Sequence, residues 1–163
     1  SLRVYLGIVG TVLVAVLAGA PAGELVGTLR QLLMGLLTGY QYLPFVVIQW
    51  LLVLLVAGAA RRGGFSSPWR TVAWGVACGA CGGAASAVIS YFLFRGGTGG
   101  GVAWVTAALR AAGYPLPIAV AIGSGTTDVV DKAIAIVVVG VLLRALPRQI
   151  MGRFPLAARA TAQ

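Results

Sequence analysis

Three long stretches without a charged side chain constrain the fold of this chain more than any other feature. They cover residues 4–23, 31–60 and 71–94. A helix needs roughly 20 apolar residues to cross a bilayer core about 30 Å thick, and each stretch approaches or exceeds that length. A cleaved signal sequence would be followed by a polar mature chain, whereas the apolar character here continues to Leu146. The sequence therefore predicts several membrane-spanning segments.

Composition and periodicity favour helices for these segments. Hydrophobic residues make up 60% of the chain and charged residues 9%, against about 25% charged in a typical soluble domain. The apolar runs at residues 46–48 and 133–143 show none of the period-two alternation of a half-buried strand. We therefore predict an all-α integral membrane protein, located in the plasma membrane.

Glycine and proline residues between the apolar stretches divide the chain into predicted helices. Their approximate ranges are 4–18, 24–38, 45–60, 69–94, a short helix at 102–112, and 115–147. A straight helix over the last range would measure about 50 Å, so we expect a bend at Gly123-Ser-Gly125. Residues 1–155 are predicted to form one transmembrane domain, with 156–163 as a cytoplasmic tail or the start of a linker.

Arginines at the span ends predict the orientation. They form one group at residues 61–70 and another after residue 143: Arg61, Arg62 and Arg70, then Arg144, Arg148, Arg153 and Arg159. Because cytoplasmic loops are enriched in Lys and Arg, both groups are placed in the cytoplasm. The chain then crosses the membrane five times, with Ser1 outside and the C-terminus inside. An outside Ser1 suggests that one more helix precedes it.

Polar groups inside the apolar spans mark a candidate binding site, because charge within a membrane is expensive and usually functional. Asp128, Asp131 and Lys132 lie near the predicted outer start of the last crossing, and Arg30 lies within the second span. Aromatic and hydrogen-bonding residues fall at the same end, as is typical of small-molecule pockets. The predicted substrate-binding residues are Tyr40, Tyr42, Gln49, Trp50, Tyr91, Thr98, Trp104, Asp128, Asp131 and Lys132.

Structural roles compete with binding for many of these residues. Trp and Tyr at span ends are commonly interfacial anchors. Asp131 and Lys132 would also fit a pair with each other or with Arg30, and Asp128 would fit a helix N-terminus. Gly75, Gly79 and Gly83 recur four apart, which permits close helix packing. That stripe serves either as a docking surface for a partner membrane protein, the role we predict for it, or as packing within the bundle.

Several functions are excluded or disfavoured by what the sequence lacks. There is no histidine and only three acidic residues, so neither a catalytic triad nor a metal cluster is expected, and we predict no enzyme activity and no cofactor. No phosphate-binding loop with the Gly-Lys-Ser/Thr signature is present. The net charge of +9 is explained by the span-end arginines and anionic headgroups, so no nucleic-acid partner is expected. Cys78 and Cys81 are interpreted as small packing residues.

A set of short motifs resembles one membrane-protein family. They are GAPAGELVG at residues 19–27, LTG at 37–39, LPF at 43–45, ARR at 60–62, GGTGGG at 96–101, DVVDK at 128–132, LPR at 146–148 and RFP at 153–155. In this order and spacing the chain resembles the substrate-binding S component of energy-coupling factor (ECF) transporters, especially the actinobacterial type. The likeness covers nearly the whole sequence, and its strongest part is residues 128–132.

The resemblance implies a specific architecture and set of partners. It implies a six-helix bundle with both termini in the cytoplasm, which agrees with five crossings plus one helix before Ser1. It also implies binding of a vitamin or similar micronutrient, and docking onto a transmembrane coupling (T) subunit that carries a pair of ATPase subunits. A pyrimidine, a flavin or a corrin would each suit the predicted pocket. The alternatives are the transmembrane sensor region of a signalling protein, or a channel or structural membrane subunit.

Overall fold

The helical prediction is confirmed over the residues that the structure, a computed structural model, describes: 7–96, 101–147 and 153–161. Within these ranges every regular element is a helix. The elements are α1 (Gly7–Ala18), α2 (Ala20–Thr38), a 3-10 helix (Tyr40–Phe45), α3 (Val46–Arg61), α4 (Pro68–Phe94), α5 (Gly101–Ala111), α6 (Leu116–Ala145) and α7 (Pro155–Thr161).

Among the described residues, two segments are long and apolar enough to cross a membrane, by length and composition. One is Tyr40–Arg61, which joins the 3-10 helix to α3 and has 22 residues. The other is α4, with 27 residues. A shorter apolar helix covers Ile8–Ala18. These segments support a membrane location for the chain.

The connection between α1 and α2 is tighter than the sequence predicted. We expected residues 19–23 to form a turn, but α2 begins at Ala20 and only Gly19, with φ of 92°, interrupts the helices. Pro21 lies in the first turn of α2. Backbone N–H groups there have no partner within the helix, so a proline removes no helical hydrogen bond. The break therefore depends on the left-handed backbone of Gly19 rather than on the proline.

Helix α2 has an inverted distribution of side chains compared with a helix on a soluble protein. Its buried face consists of Gly23, Gly27, Gln31 and Gly35. Its leucines face outward: Leu25, Leu29, Leu32, Leu33, Leu36 and Leu37 are all exposed. A soluble surface helix buries its apolar stripe and exposes its polar one. The small buried residues let α2 approach α1 and α3 closely, while the leucine face suits contact with lipid.

The glycine stripe of α4 is buried inside the bundle. A Cβ atom added at Gly79 would lie 2.5 Å from the Cα of Val129, and one added at Gly75 would lie 3.0 Å from the Cα of Ala133. Gly83 meets Gly125 in the same way. Helices α4 and α6 therefore pack backbone to backbone in antiparallel orientation. This corrects the predicted partner-docking role of Gly75, Gly79 and Gly83, because α6 already covers that face.

Helix α6 is continuous for 30 residues and runs through Gly123-Ser-Gly125, where we expected a bend. The glycine at position 123 serves a close contact, since a Cβ added there would lie 2.8 Å from Oγ1 of Thr106 on α5. Asp128 consequently lies in the interior of α6, so the alternative that it caps a helix N-terminus is wrong. Within the described ranges, α5 packs against α6 and against no other element.

Of residues 156–163, predicted as a cytoplasmic tail or the start of a linker, the structure describes residues 156–161, which are helical. They belong to α7, which packs against α1, α3 and α6 and buries Ala157 and Ala160. The Phe65 amide, in the loop between α3 and α4, donates to the Ala160 carbonyl at 3.0 Å. The Phe65 carbonyl accepts from the Arg144 guanidinium at 3.4 Å. The loop, the end of α6 and α7 thus form one packed base beneath the bundle.

The base carries most of the positive charge among the described residues. We call it the basic end; its exposed arginines are Arg61, Arg62, Arg70, Arg144, Arg153 and Arg159. They come from the end of α3, the start of α4, the end of α6 and the region of α7. Helix packing therefore brings the two arginine groups of the sequence to the same end of the molecule.

Candidate functional site

An ion pair lies in the interior of α6. Lys132 donates to Oδ1 of Asp128, one helical turn earlier, and the two side chains are only 6% and 15% exposed. This corrects the alternative that Lys132 pairs with Asp131. The i, i+4 spacing places residues 128 and 132 on the same side of the helix, and the ion pair seen among the described residues joins these two rather than Lys132 and Asp131.

Glycine on α4 creates the room for the lysine. A Cβ added at Gly82 would lie 3.1 Å from Cε of Lys132 and 3.9 Å from Cγ2 of Ile48 on α3. The lysine stem therefore occupies space between α4, α6 and α3. A side chain at position 82 would compete for this space, so glycine there is part of the site.

Polar residues extend this site along α4 and α6, away from the basic end. Ser124 lies one turn before Asp128, and Ser86 and Ser90 lie one and two turns after Gly82. All three serines are buried. Because α4 and α6 run antiparallel, both polar lines run from mid-bundle toward the end where Phe45 and Phe94 stack with ring centroids 5.9 Å apart.

Two further polar side chains come from α1 and α3. Thr11 and Gln49 are both buried, and both lie against Gly27 of α2, where an added Cβ would be 3.2 Å from Cγ2 of Thr11 and 3.4 Å from Cβ of Gln49. Gln49 directly follows Ile48, which contacts the lysine site. We define the polar core as these seven buried or nearly buried residues: Thr11, Gln49, Ser86, Ser90, Ser124, Asp128 and Lys132.

Most of the polar core is not satisfied by the protein itself. Five buried side-chain oxygens have no hydrogen-bond partner among the described residues: Oγ1 of Thr11, Oε1 of Gln49, Oγ of Ser90, Oγ of Ser124 and Oδ2 of Asp128. Leaving such a group unpaired costs about 1–3 kcal/mol, and more for a charged group. Native proteins bury few of them, so these five oxygens, carried by α1, α3, α4 and α6, are the candidate hydrogen-bonding groups of the site.

The remaining charges lie beside the polar core. Asp131 is half-buried, and the charges that act on it are those of Lys132, Asp128 and Arg30. Two positive and two negative side chains therefore form the interior charged group, whose formal charge is zero. No cluster of three or more metal-ligating His, Cys, Asp or Glu side chains occurs within the described ranges.

The structure does not bring the predicted aromatic residues into this core. Tyr40 is 76% exposed and Trp104 80% exposed. Trp50 lies on the surface and donates from Nε1 to Oγ1 of Thr28 at 2.9 Å, which links α3 to α2. Tyr91, near the end of α4, is 36% exposed, and its ring contacts the ring of Phe92. These positions suit interfacial anchors, the alternative that the sequence left open.

The two remaining predicted residues are Tyr42, which contacts α2 through its backbone, and Thr98. Tyr42 is half-buried in the 3-10 helix, and its carbonyl accepts a hydrogen bond from the side chain of Gln31. That contact connects the helix to α2 through the backbone, so it does not engage the tyrosine ring. Thr98 lies outside the described residues. Of the ten predicted residues, the structure places Gln49, Asp128 and Lys132 in the polar core and Asp131 beside it.

Four members of the polar core were not among the predicted substrate-binding residues: Thr11, Ser86, Ser90 and Ser124. A single Ser or Thr in an apolar helix carries little signal, because its hydroxyl can bond to its own backbone. The signal that could have found Ser124 is its spacing of four and eight residues from Asp128 and Lys132. The same spacing relates Gly82, Ser86 and Ser90 on α4.

The chain matches no protein-family model, and comparisons with characterised proteins and with solved structures also give no match. The resemblance to S components therefore rests on the sequence motifs alone. The geometry of the polar core provides an argument that does not depend on that resemblance.

Proposed function

We propose that this chain is a membrane-embedded, micronutrient-binding subunit, the S component of an ATP-driven ECF-type importer. The observation that carries the proposal is the set of five unpaired, buried oxygens on α1, α3, α4 and α6. A bundle held together only by packing gains nothing from such groups. A site that must recognise a polar solute requires them, because they specify the solute through hydrogen bonds.

The proposed topology has five crossings in the described chain, with the basic end in the cytoplasm. The shared position of the arginines from α3, α4, α6 and α7 supports this orientation, since the positive-inside rule counts short loops close to the spans. The polar core then lies between mid-bundle and the outer end. A solute captured from outside would reach it without crossing the basic end.

The energy for import would come from partners. The sequence has no phosphate-binding loop of its own, so the proposal assigns ATP hydrolysis to a pair of ATPase subunits or to a fused domain, and their coupling to a transmembrane T subunit. Because α6 covers the glycine stripe of α4, a T subunit would have to contact other faces of the bundle. The exposed leucine face of α2 is one such apolar surface.

Two other functions make different predictions. A sensor region of a signalling protein would also bind a solute but would associate with signalling domains rather than ATPases. A structural membrane subunit would bind no solute, and filling its polar core with apolar side chains would leave its function intact. The unpaired oxygens favour the solute-binding functions over the structural one.

The first test is a gentle purification of the full chain from native membranes into lipid nanodiscs, with mass spectrometry of all retained proteins and small molecules. Retention of a second membrane subunit, two ATPases and a stoichiometric small molecule is the expected result. Recovery of the chain with lipid alone, together with no binding to a panel of water-soluble vitamins, would overturn the proposal.

A matched pair of variants on α6 separates recognition from general damage. Ser124→Ala removes an unpaired hydroxyl of the polar core, whereas Thr126→Ala removes an exposed hydroxyl that donates to the Ile122 carbonyl at 2.7 Å. Loss of the retained small molecule is expected for Ser124→Ala only. Equal retention by both variants would place the solute elsewhere.

A further inference from the structure

The two carboxylate oxygens of Asp128 have different environments, and this difference specifies the solute. Oδ1 accepts from Lys132, while Oδ2 is buried with no partner among the described residues. An ionised carboxylate oxygen can only accept a hydrogen bond. A molecule that completes this site must therefore direct an N–H or O–H group at Oδ2.

The charge balance around the site argues against a charged solute. Lys132 neutralises Asp128 within α6, and Asp131 and Arg30, one acidic and one basic, are both half-buried. The four charges sum to zero. An anion would add negative charge beside the unpaired carboxylate oxygen, and a cation would compete with the lysine that already holds Oδ1. In a low-dielectric interior both arrangements are unfavourable.

Another unpaired oxygen on α6 has a compatible requirement. Ser124 lies one turn before Asp128 on α6 and presents a hydroxyl group, which both donates and accepts. An uncharged molecule with an N–H or O–H donor and a nearby acceptor would pair with Oδ2 of Asp128 and with this hydroxyl. A molecule of purely apolar character would leave both unsatisfied.

We infer that the solute is an uncharged, hydrogen-bond-donating molecule, such as an amide or a polyhydroxylated compound, whose donor group binds Oδ2 of Asp128. The inference rests on the proposed solute-binding function and adds the chemical class. Lys132 has the role of a positioning residue, which fixes the carboxylate so that Oδ2 faces the solute.

The test uses the full chain in nanodiscs and probes in matched pairs of equal shape. Native mass spectrometry would measure retention from an equimolar mixture of nicotinamide with nicotinate, biotin amide with biotin, and the neutral compounds pyridoxine and riboflavin. Retention confined to uncharged donors, at least tenfold over their carboxylate counterparts, is expected. Preferential retention of nicotinate or biotin would overturn the inference while leaving solute binding intact. Retention of no probe, and of no small molecule from native membranes, would remove both proposals together.

Variants of the carboxylate complete the test. Asp128→Asn is expected to weaken binding of the retained probe at least tenfold, whereas Glu24→Gln, the same chemical change at the start of α2, is expected to leave it within twofold. Because Asp128→Asn leaves Lys132 unpaired and the protein could fail to fold, the double variant Asp128→Asn with Lys132→Met removes both charges. Because an Asn side chain keeps one acceptor oxygen, the decisive variant is Asp128→Leu with Lys132→Met, which removes both charges and the acceptor. A folded form of it that binds with unchanged affinity would contradict the role of Oδ2.

Discussion

Lys132 pairs with Asp128, one turn earlier on α6, although Asp131 is its immediate neighbour in sequence. The pair lies in the interior of the bundle, where neither side chain is more than 15% exposed. Removing one partner from a buried ion pair leaves an uncompensated charge and typically costs 3–5 kcal/mol. We therefore expect the bundle to lose more stability when one partner is removed than when both are removed.

We expect Lys132→Met to lower the free energy of unfolding by about 3–5 kcal/mol, because it buries an unpaired carboxylate. The double variant with Asp128→Asn should recover most of that loss, since it removes the charge that lacks a partner. Unfolding in mixed detergent micelles, followed by tryptophan fluorescence, would measure the wild type, Lys132→Met, Asp128→Asn and the double variant in a double-mutant cycle. Additive effects of the two substitutions would contradict the pairing.

Ser124→Ala should raise the free energy of unfolding of the solute-free protein by about 1 kcal/mol, because it removes a buried hydroxyl that has no partner. The same change should weaken solute binding at least tenfold. Opposite effects on stability and binding are typical of a residue kept for recognition rather than packing. A loss of stability on Ser124→Ala would show instead that the hydroxyl has a structural partner.

Replacing glycine by alanine should have opposite effects on stability at two positions, one in the glycine stripe of α4 and one on α3. Gly79→Ala should destabilise the bundle by several kcal/mol, because its Cβ would lie 2.5 Å from the Val129 backbone and the helices would have to separate. Gly58→Ala, on α3, meets no atom within 4 Å and should stabilise its helix by up to about 1 kcal/mol. Thermal unfolding of the two variants in the same detergent would test this, and equal melting temperatures would reject close packing of α4 and α6.

The proposed orientation can be tested by labelling single cysteines in intact cells. In a background of Cys78→Ala with Cys81→Ala, Tyr40→Cys should react with a membrane-impermeant maleimide added outside. Arg62→Cys, at the basic end, should react only after the membrane is permeabilised. Labelling of Arg62→Cys from outside would reverse the topology.

The helical architecture was predictable because apolar stretches of membrane length leave few alternatives. The helix starts at Trp69 and Phe45 were placed within one residue of α4 and α3. By contrast, the bend expected at residues 123–125 stays a prediction, since α6 is continuous there. Gly123 also serves a close contact with Thr106 of α5, and a contact between two helices cannot be read from the sequence of one.

The candidate site was only partly predictable for the same reason. Charged residues in an apolar helix are conspicuous, so Asp128 and Lys132 were found. The aromatic residues were equally conspicuous, but whether Trp104 faces the interior or the surface depends on how α5 rotates against α6. The buried serines and Thr11 became visible only when α1, α3, α4 and α6 were assembled.

Helix α5 contacts only α6 in the described part of the chain, on the segment that includes Gly123 and precedes the ion pair. Moving α5 would therefore break one interface and leave the α4–α6 packing undisturbed. If the proposed function holds, the rate of solute entry and the equilibrium affinity are governed by different parts of the molecule. Substitutions at Thr106 would then change association and dissociation rates in parallel, while substitutions in the polar core would change their ratio.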